Sequence, residues 1–239
     1  LYLEGERSTL ERNKITGTFL EQAGIIVKYG STHAKGFSID HKTILFGSTN
    51  LTSQSMLKNN ETNILSDDPL ITNGFDLFFD NLYNEGKIGS ILLDPPMLAD
   101  GAYKAALIKA IQLAQKSIEF SIYYFNDTDI ENEIIKASQK GVHVRGYFNQ
   151  REIPGSNLVE RNRQTVERMI KMGVTDLHFA KDNAFTHSKY LILDQKEIYL
   201  GTGNWNYSDV NNYRQLYVKL EDLFLEKELS EHLTKQILE

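Results

Sequence analysis

The spacing of apolar and polar positions in the second half of the chain predicts alternating helices and strands. Helical periodicity covers residues 102–116, 127–140 and about 156–172. Between them lie two apolar segments rich in β-branched and aromatic residues, 117–125 and 142–148, which predict buried strands. Several short strands ending near Leu220 follow, and the apolar pattern closes with an amphipathic helix over residues 221–238.

Strands that alternate with helices of this length predict parallel βαβ units. Such units form a sheet that is covered by helices on both faces. We therefore predict an α/β fold with mixed, largely parallel sheets.

The chain also contains an internal repeat. Leu10-Glu-Arg-Asn-Lys14 matches Val159-Glu-Arg-Asn-Arg163, and His33-Ala-Lys35 matches His187-Ser-Lys189. The offset is 149 residues at the first pair and 154 at the second, which a five-residue difference in loop length explains. We expect two α/β domains related by a pseudo-twofold axis, residues 1–88 and 89–239. The join falls in residues 89–96, because Asp94-Pro95-Pro96 can continue neither a helix nor a central strand.

The first copy of the repeat begins at a later point of the repeated pattern than the second copy does. Residues 1–3 align with residues 146–148, so nothing matches the opening strand and helix of the second copy. A βα unit of roughly 40–50 residues is missing from the first copy. We expect the sequence to be a fragment or a processed form of a longer chain.

Composition excludes several classes of protein. An apolar fraction of 41% with 24% charged residues is that of a globular protein, and the absence of cysteine excludes disulfides, thiolate zinc sites and cysteine nucleophiles. No apolar run approaches the ~18 residues of a membrane span. We therefore expect a soluble protein, with the cytoplasm favoured as its compartment. The net charge of −6 disfavours polyanion binding except through a local basic cluster.

One long spaced motif occurs twice. Its copies read His33-x-Lys35-x4-Asp40-x6-Gly47-Ser48-x-Asn50 and His187-x-Lys189-x4-Asp194-x6-Gly201-Thr202-x-Asn204. Six fixed positions arise by chance in a chain of this length at roughly one in 10⁵, given residue usage near one in twenty. The repetition therefore indicates a shared chemical task.

The spacing brings donors together. A histidine and a lysine two residues apart on a strand point to the same face. The Gly-Ser/Thr-x-Asn element allows close backbone approach and adds hydroxyl and amide donors. If the two repeats pack about an axis, the pooled ammonium, amide and hydroxyl groups suit one tetrahedral oxyanion.

These motifs resemble the HKD motifs of the phospholipase D superfamily, and the resemblance covers essentially the whole chain. It implies two α/β domains that share one active site at their interface. It also implies metal-independent cleavage of phosphodiesters through a phosphohistidine intermediate, with no cofactor.

Histidine chemistry fits this expectation. One neutral imidazole attacks phosphorus while the other, protonated, gives its proton to the leaving oxygen and then activates water. The resemblance favours His33 as the nucleophile and His187 as the acid and base. Lys35, Lys189, Asn50 and Asn204 would hold the non-bridging oxygens. The sequence offers no obvious carboxylate cage for a metal ion.

The two copies differ at one position beyond the motif. Glu61 follows Asn50 by eleven residues, whereas Gln215 stands at the same spacing after Asn204. A carboxylate on an imidazole N–H stabilises the imidazolium, but an amide only orients the ring. The two histidines should therefore differ in basicity, although the sequence leaves open which histidine each residue contacts.

Other candidates have two interpretations. Asp40 and Asp194 are either catalytic or hold the turn after their strands. Substrate contacts are predicted for Ser48, Thr202, Gln215, Arg151, Arg161 and Arg163, since ligands gather at the carboxyl ends of strands. The arginines can equally form a solvated helix face.

The motif defines the bond that is broken and leaves the substrate open. Lipid-processing relatives tend to read Asn-Leu-Asp-x-Arg-Ser after the motif, whereas this chain reads Asn50-Leu-Thr-Ser-Gln-Ser and Asn204-Trp-Asn-Tyr-Ser. We therefore favour nucleic acid as the substrate, in the nuclease-like branch. The alternatives are a phospholipase D-type phospholipid hydrolase or transphosphatidylase, and an inactive binding module.

Overall fold

The computed structural model describes residues 1–181 and 184–238. In the first repeat the elements are β1 (Tyr2–Glu4), α1 (Arg7–Gln22), β2 (Lys28–Gly30), β3 (Gly36–Ile39), β4 (Thr43–Gly47), α2 (Ser53–Lys58), β5 (Asn63–Ser66) and α3 (Pro69–Asn84). In the second repeat they are β6 (Met97–Ala99), α4 (Gly101–Leu113), β7 (Ser117–Ile122), α5 (Thr128–Gln139), β8 (His143–Phe148), α6 (Leu158–Lys171), β9 (Asp176–Phe179), β10 (Lys189–Leu193), β11 (Glu197–Gly201), α7 (Tyr207–Asn211), β12 (Leu216–Glu221) and α8 (Leu223–Leu238).

Local sequence signals explain the bounds of α5. The carboxylate of Asp127 accepts hydrogen bonds from the backbone N–H groups of Asp129 and Ile130, which caps α5. The helix ends before Gly141, whose φ of +94° is the left-handed conformation that glycine adopts readily. The predicted order of helices and strands is confirmed with bounds shifted by a few residues, except for strand β6 and the short helix α7, which the apolar pattern did not predict.

The second repeat forms a seven-stranded sheet in the order β6-β12-β11-β10-β7-β8-β9. The α/β class and the mixed sheet are confirmed, but the expectation of largely parallel strands is wrong. Among the described residues of this sheet, only the pairs β7·β8 and β8·β9 are parallel, while the other four pairs are antiparallel. The reason is the length of the connections: helices α5 and α6 return the chain to the start of the next strand, whereas a tight turn joins β10 to β11.

Both faces of this sheet are covered. Side chains of α4, α5 and α6 pack on one face, around Phe120, Leu191 and Trp205. The other face packs against α3 and β4 of the first repeat and against Leu229 of α8. The core on this second face therefore joins the two repeats, and the division at residues 88 and 89 stays a prediction drawn from the sequence repeat.

The first repeat reproduces part of this arrangement. Its strands β1 and β2 are parallel, like β8 and β9, and β3, β4 and β5 form an antiparallel sheet, like β10, β11 and β12. In the second repeat β7 joins the two groups, but in the described residues of the first repeat no strand does so. The described residues of the first copy thus contain no strand equivalent to β7.

This difference leaves apolar side chains exposed on the first repeat. Phe37 and Ile39 on β3 are 43% and 54% exposed, whereas the equivalent Leu191 and Leu193 on β10 are buried beneath helices. None of the helices in residues 1–181 and 184–238 is long and apolar enough to cross a membrane.

A buried ion pair joins the residue after β6 to the segment that precedes β12. Arg214 is fully buried, and its Nε lies 2.9 Å from Oδ2 of Asp100. The same carboxylate accepts hydrogen bonds from the backbone N–H groups of Gly89 and Gln215, and Arg214 Nη2 donates to Oδ1 of Asn81. The pair therefore positions the segment 213–215, which reaches the functional site.

We predict that Arg214→Met lowers the free energy of unfolding by about 3–5 kcal/mol, because it leaves the buried carboxylate of Asp100 without its partner. Urea denaturation measures the loss. As the control, Lys196→Ala breaks the exposed pair with Glu221 and should leave the free energy of unfolding nearly unchanged. Equal losses in the two variants would contradict the structural importance of the buried pair.

Candidate active site

The two histidine–lysine pairs lie at equivalent places in the two repeats. His33 and Lys35 directly precede β3, while His187 precedes β10 and Lys189 begins it. In each pair the lysine Nζ donates a hydrogen bond to the carbonyl oxygen of its own histidine. This hydrogen bond holds each ammonium group close to its own histidine.

Backbone hydrogen bonds clamp the two pairs across the boundary between the repeats. The N–H of His33 donates to the carbonyl oxygen of Arg214 at 3.0 Å, and the N–H of His187 donates to that of Asn60 at 2.8 Å. Arg214 and Asn60 occupy equivalent positions in their repeats. Each histidine is thus anchored by the opposite repeat.

The side-chain contacts of the histidines cross the same boundary. Nδ1 of His187 lies 2.9 Å from Oε2 of Glu61, and Nδ1 of His33 lies 3.1 Å from Nε2 of Gln215. The question that the sequence left open is answered: each residue contacts the histidine of the other repeat. Of the two motif histidines, His187 has a carboxylate of the described residues within hydrogen-bonding distance and His33 has an amide.

The motif hydroxyls orient these partners. Ser48 donates to Oε2 of Glu61 at 2.5 Å, and Thr202 donates to Oε1 of Gln215 at 2.6 Å. Both hydroxyls also accept a backbone N–H, and both residues are fully buried. The expectation that Ser48, Thr202 and Gln215 contact substrate is therefore corrected: their polar atoms are used in holding the histidine partners.

The motif glycine is required by close packing. A Cβ atom at Gly201 would lie 2.2 Å from Cδ1 of Tyr217, and one at Gly47 would lie 2.3 Å from the carbonyl oxygen of Thr62. Neither position tolerates a side chain without movement of the neighbouring strand. The glycine allows the backbone approach that was expected from the sequence.

Each motif asparagine donates its backbone N–H to a side chain that follows it in the same repeat. The backbone N–H of Asn50 donates to Ser55 Oγ, while Asn204 donates to Asp209 Oδ2 from both its backbone N–H and its side-chain amide. The amide oxygen of Asn204 is buried and has no hydrogen-bond partner within residues 1–181 and 184–238. Ser55 and Asp209 were missed in the sequence, although both stand five residues after the motif asparagine.

Burial and like charges lower the pKa values of the basic groups. Burial, Lys35 and Lys189 hold the pKa of His33 well below its usual range, and burial and Lys189 lower the pKa of His187 to about 4. Burial lowers the pKa of Lys35 to about 8, and burial together with the Lys35 charge holds that of Lys189 well below its usual range. These mutual effects place all four groups in one site.

The carboxylate of Glu61 is shifted in the opposite sense from what its burial would produce. Burial alone would raise its pKa, but the hydrogen bonds from His187, Ser48 and Ser55 lower the pKa to about 2. Glu61 therefore stays ionised and favours the protonated form of His187 against the lysine charges. The ammonium groups of Lys35 and Lys189 suit this site to an oxyanion.

Aromatic rings surround the second pair. Tyr123 packs edge-on against the His187 ring at 4.7 Å between centroids and lies 5.1 Å from Lys189 Nζ. Phe185 stacks beside His187 on another side, and Tyr213 lies 6.0 Å from the His33 ring. The sequence analysis did not single out these rings, since aromatic residues are equally typical of a core.

The aspartates of the motif lie at the far end of the hairpins. Asp40 and Asp194 have φ values of +54° in the tight turns after β3 and β10. The carboxylate of Asp194 accepts hydrogen bonds from the backbone N–H groups of residues 115–117. Five residues of strand separate Asp194 from Lys189, about 16 Å. This placement favours the turn role over the catalytic role.

The three arginines differ in position. Arg151 is exposed, with its guanidinium 5.9 Å from the Phe185 ring. Arg161 donates to the hydroxyl of Tyr124 at 2.9 Å and lines a 340 Å³ cavity together with Asn204 and Asp209. Arg163 is exposed on α6, about 200° around the helix from Arg161. Arg151 and Arg161 therefore lie near the mouth of the site, and Arg163 faces elsewhere.

In the described part of the chain no group of three or more His, Asp or Glu side chains is arranged to hold a metal ion. Independence from a metal ion stays a prediction.

Two stretches of the chain, residues 6–83 and 107–238, match the sequence model of a family described as cardiolipin synthase, PLD-like domain. Each stretch contains one copy of the motif, and together they cover most of the chain.

Curated relatives match about half of the chain. The mitochondrial cardiolipin hydrolase of Mus musculus is 26% identical over 126 residues, which are 51% of this chain and 54% of that protein. Phospholipase D Y of Dictyostelium discoideum is 24% identical over 133 residues, 49% of this chain and 30% of that protein. The matched segments thus span about half of the first relative and less of the second.

Three solved structures are similar in fold. Nuc from Salmonella typhimurium, a phospholipase D family member, has a TM-score of 0.51 and 18% identity, covering 60% of this chain and 94% of its own. Polyphosphate kinase from Porphyromonas gingivalis has a TM-score of 0.71 and 14% identity, covering 100% of this chain and 38% of its own. Phosphatidylserine synthase from Haemophilus influenzae has a TM-score of 0.65 and 13% identity, covering 86% and 62%. Identities this low show a shared fold alone.

We predict that sulfate binds at this site and that its affinity falls as the pH rises through about 8, because Lys35 loses its proton there. Sulfate keeps its double charge over this range, so the protein alone produces the change. Isothermal titration calorimetry between pH 6.5 and 9.5 measures it.

The variant Lys35→Met should bind sulfate more weakly and lose the pH step. Lys42→Met, in the exposed turn after β3, is the control and should behave as the wild type. An affinity that stays constant across pH 8 would contradict the lowered pKa of Lys35.

Proposed function

This chain belongs to the family described as cardiolipin synthase, PLD-like domain, and from this premise we propose that it is a phosphodiesterase that cleaves its substrate through a phosphohistidine. The observation that carries the proposal is the paired site: two imidazoles and two ammonium groups, each imidazole held through Nδ1 by the opposite repeat. A ring held at Nδ1 keeps Nε2 available for chemistry.

The reaction has two steps. Nε2 of one histidine attacks phosphorus, the N–P bond forms, and the P–O bond to the leaving group breaks as the other histidine gives its proton to the leaving oxygen. The second histidine then takes a proton from water, the hydroxide attacks phosphorus, and the N–P bond breaks. Both histidines end in their starting protonation states.

We propose His33 as the nucleophile and His187 as the acid and base. The direct contact between His187 and the ionised Glu61 supports this choice, because a carboxylate at Nδ1 stabilises the imidazolium that an acid requires. Lys35 and Lys189, with the amides of Asn50 and Asn204, would neutralise the charge of the transition state without a metal ion.

Nucleic acid is the substrate class that we propose first. The mouth of the site combines cationic and aromatic side chains: Arg151 lies over Phe185, and Arg161 contacts Tyr124 beside an exposed Tyr207. Arginines that follow a phosphate backbone and rings that stack on bases are typical of single-strand binding. This local cluster opposes the net charge of −6 of the whole chain.

A phospholipid is the second candidate, and a different surface favours it. Leu51, Met56 and Leu57 are exposed directly after the motif asparagine Asn50, in and beside α2. Apolar side chains at the rim of a site can enter the acyl region of a lipid surface. The curated relatives include a cardiolipin hydrolase and a phospholipase D.

We predict that the protein hydrolyses bis-p-nitrophenyl phosphate in the presence of EDTA, because the protein's own cations stabilise the transition state. His33→Ala and His187→Ala should each lower kcat by at least about 10²–10⁴-fold, the contribution of an acid, base or nucleophile. His41→Ala, whose ring pairs with Asp76 on the surface, is the matched control and should retain activity. Loss of turnover on chelation would rule out the metal-free mechanism.

We predict that the protein cleaves single-stranded DNA or RNA faster than phosphatidylcholine or cardiolipin vesicles, and that binding to nucleic acid weakens steeply as salt is added. The double variant Arg151→Ala, Arg161→Ala should weaken cleavage of nucleic acid and leave bis-p-nitrophenyl phosphate turnover nearly unchanged. Leu51→Ser with Met56→Ser is the complementary variant. If it lowers vesicle hydrolysis while nucleic acid is not cut, phospholipid is the substrate.

A further inference from the structure

The two repeats carry one carboxylate each beside the opposite histidine, but at different positions. In the first repeat Ser55 stands five residues after the motif asparagine and Glu61 eleven residues after it. In the second repeat the same two positions are Asp209 and Gln215. The carboxylate and the neutral residue have changed places.

The residues at the first of these positions have a common structural role. Ser55 Oγ accepts the backbone N–H of Asn50 at 3.0 Å, and Asp209 Oδ2 accepts that of Asn204 at 2.7 Å. Either side chain is therefore compatible with the local backbone. Ser55 shows that a serine fits at the position that Asp209 occupies in the second repeat.

The carboxylate of Asp209 reaches the histidine that lacks one. Its Oδ2 atom lies 3.6 Å from Nδ1 of His33, and the residue is buried. Gln215 cannot provide a charge, and its Oε1 already accepts the hydroxyl of Thr202, so its N–H group faces Nδ1. Asp209 is thus the anionic acceptor placed for a proton on that nitrogen.

We infer that Asp209 is a positioning residue that supplies to His33 the carboxylate that Glu61 supplies to His187. This inference rests on the proposed phosphodiesterase and deepens it. Contacts of 3.6 Å in an unliganded site commonly shorten when substrate binds.

The contact has a direct chemical consequence. A histidine that attacks phosphorus through Nε2 needs its proton on Nδ1, and that N–H becomes more acidic as the N–P bond forms. An anion at Nδ1 holds this tautomer and stabilises the cationic phosphohistidine, whereas the Gln215 amide alone favours the opposite tautomer.

The groups that face His33 set the background for this effect. Lys35, Lys189 and His187 lower its pKa after burial, and the Gln215 contact raises it. Tyr213 packs beside the ring and donates to Glu6. Asp209 is the carboxylate within 4 Å of Nδ1 in the described part of the chain.

The test exchanges the two residues within each repeat. Asp209→Ser removes the charge but keeps the acceptor for Asn204, and it should lower kcat on bis-p-nitrophenyl phosphate by about 10–100-fold. Asp209→Ser combined with Gln215→Glu recreates the first repeat's arrangement and should recover most of that loss. Asp209→Asn is the second single variant and should resemble Asp209→Ser.

The first repeat supplies the matched control. Glu61→Gln should reduce kcat, and Ser55→Asp combined with Glu61→Gln should recover part of the loss, because it copies the second repeat. If Gln215→Glu fails to restore activity to Asp209→Ser, the role of Asp209 is structural and the inference is overturned.

A spectroscopic readout separates this inference from the proposed activity. The ¹⁵N shifts of His33, assigned by their loss in His33→Gln, report which ring nitrogen carries the proton at neutral pH. We expect the Nδ1–H tautomer in the wild type and a shift towards Nε2–H in Asp209→Ser. An unchanged tautomer overturns the inference, whereas an inactive wild type with the expected shift overturns only the proposed phosphodiesterase.

Discussion

The site depends on reciprocal anchoring across the boundary between two repeats. Each motif histidine donates its backbone N–H to a carbonyl of the opposite repeat and places its ring nitrogen against a side chain from that repeat. Neither repeat can therefore form the site alone. The shared core of β4, α3 and the seven-stranded sheet fixes the two motifs in register, and the buried pair of Arg214 and Asp100 fixes residues 213–215, which directly precede β12 and include Gln215.

This arrangement concentrates positive charge where little water reaches it. Lys189 is 2% exposed, and Lys35 lies beside a 310 Å³ cavity that also contacts Glu61. Burial disfavours the charged form of each lysine and so lowers both pKa values, and the charge of Lys35 lowers that of Lys189 further. The stability that the hydrophobic core contributes therefore offsets the unfavourable energy of these buried charges, which a bound oxyanion would compensate. This relation between a binding site and its scaffold is common.

The pseudosymmetry of the site is broken in its carboxylates. Two histidines with the same partners would have the same basicity, but a nucleophile and an acid require different protonation states at the same pH. Glu61 lies in direct contact with His187, while His33 has an amide in contact and a carboxylate slightly farther away. The two repeats thus keep the same histidines and lysines but differ in the residues that contact Nδ1 of each histidine. This difference allows the two histidines to have different chemical roles.

Sequence patterns were sufficient to predict most of the helices and strands and the two histidine–lysine pairs. Periodicity located α5, α6 and the strands between them, because apolar spacing reports which face of an element is buried. The repeated motif identified His33, Lys35, His187 and Lys189, because residues two apart near a strand present neighbouring side chains.

The contacts between the two repeats could be established only from the three-dimensional structure. The partner of each histidine lies 126 or 182 residues away, and no local pattern records a contact over that distance. The same holds for Ser48 and Thr202, whose hydroxyls could serve a substrate or a neighbour until packing showed them fully buried. Strand direction within the sheet also escaped prediction, because it follows from the lengths of the connections and not from the residues of the strands.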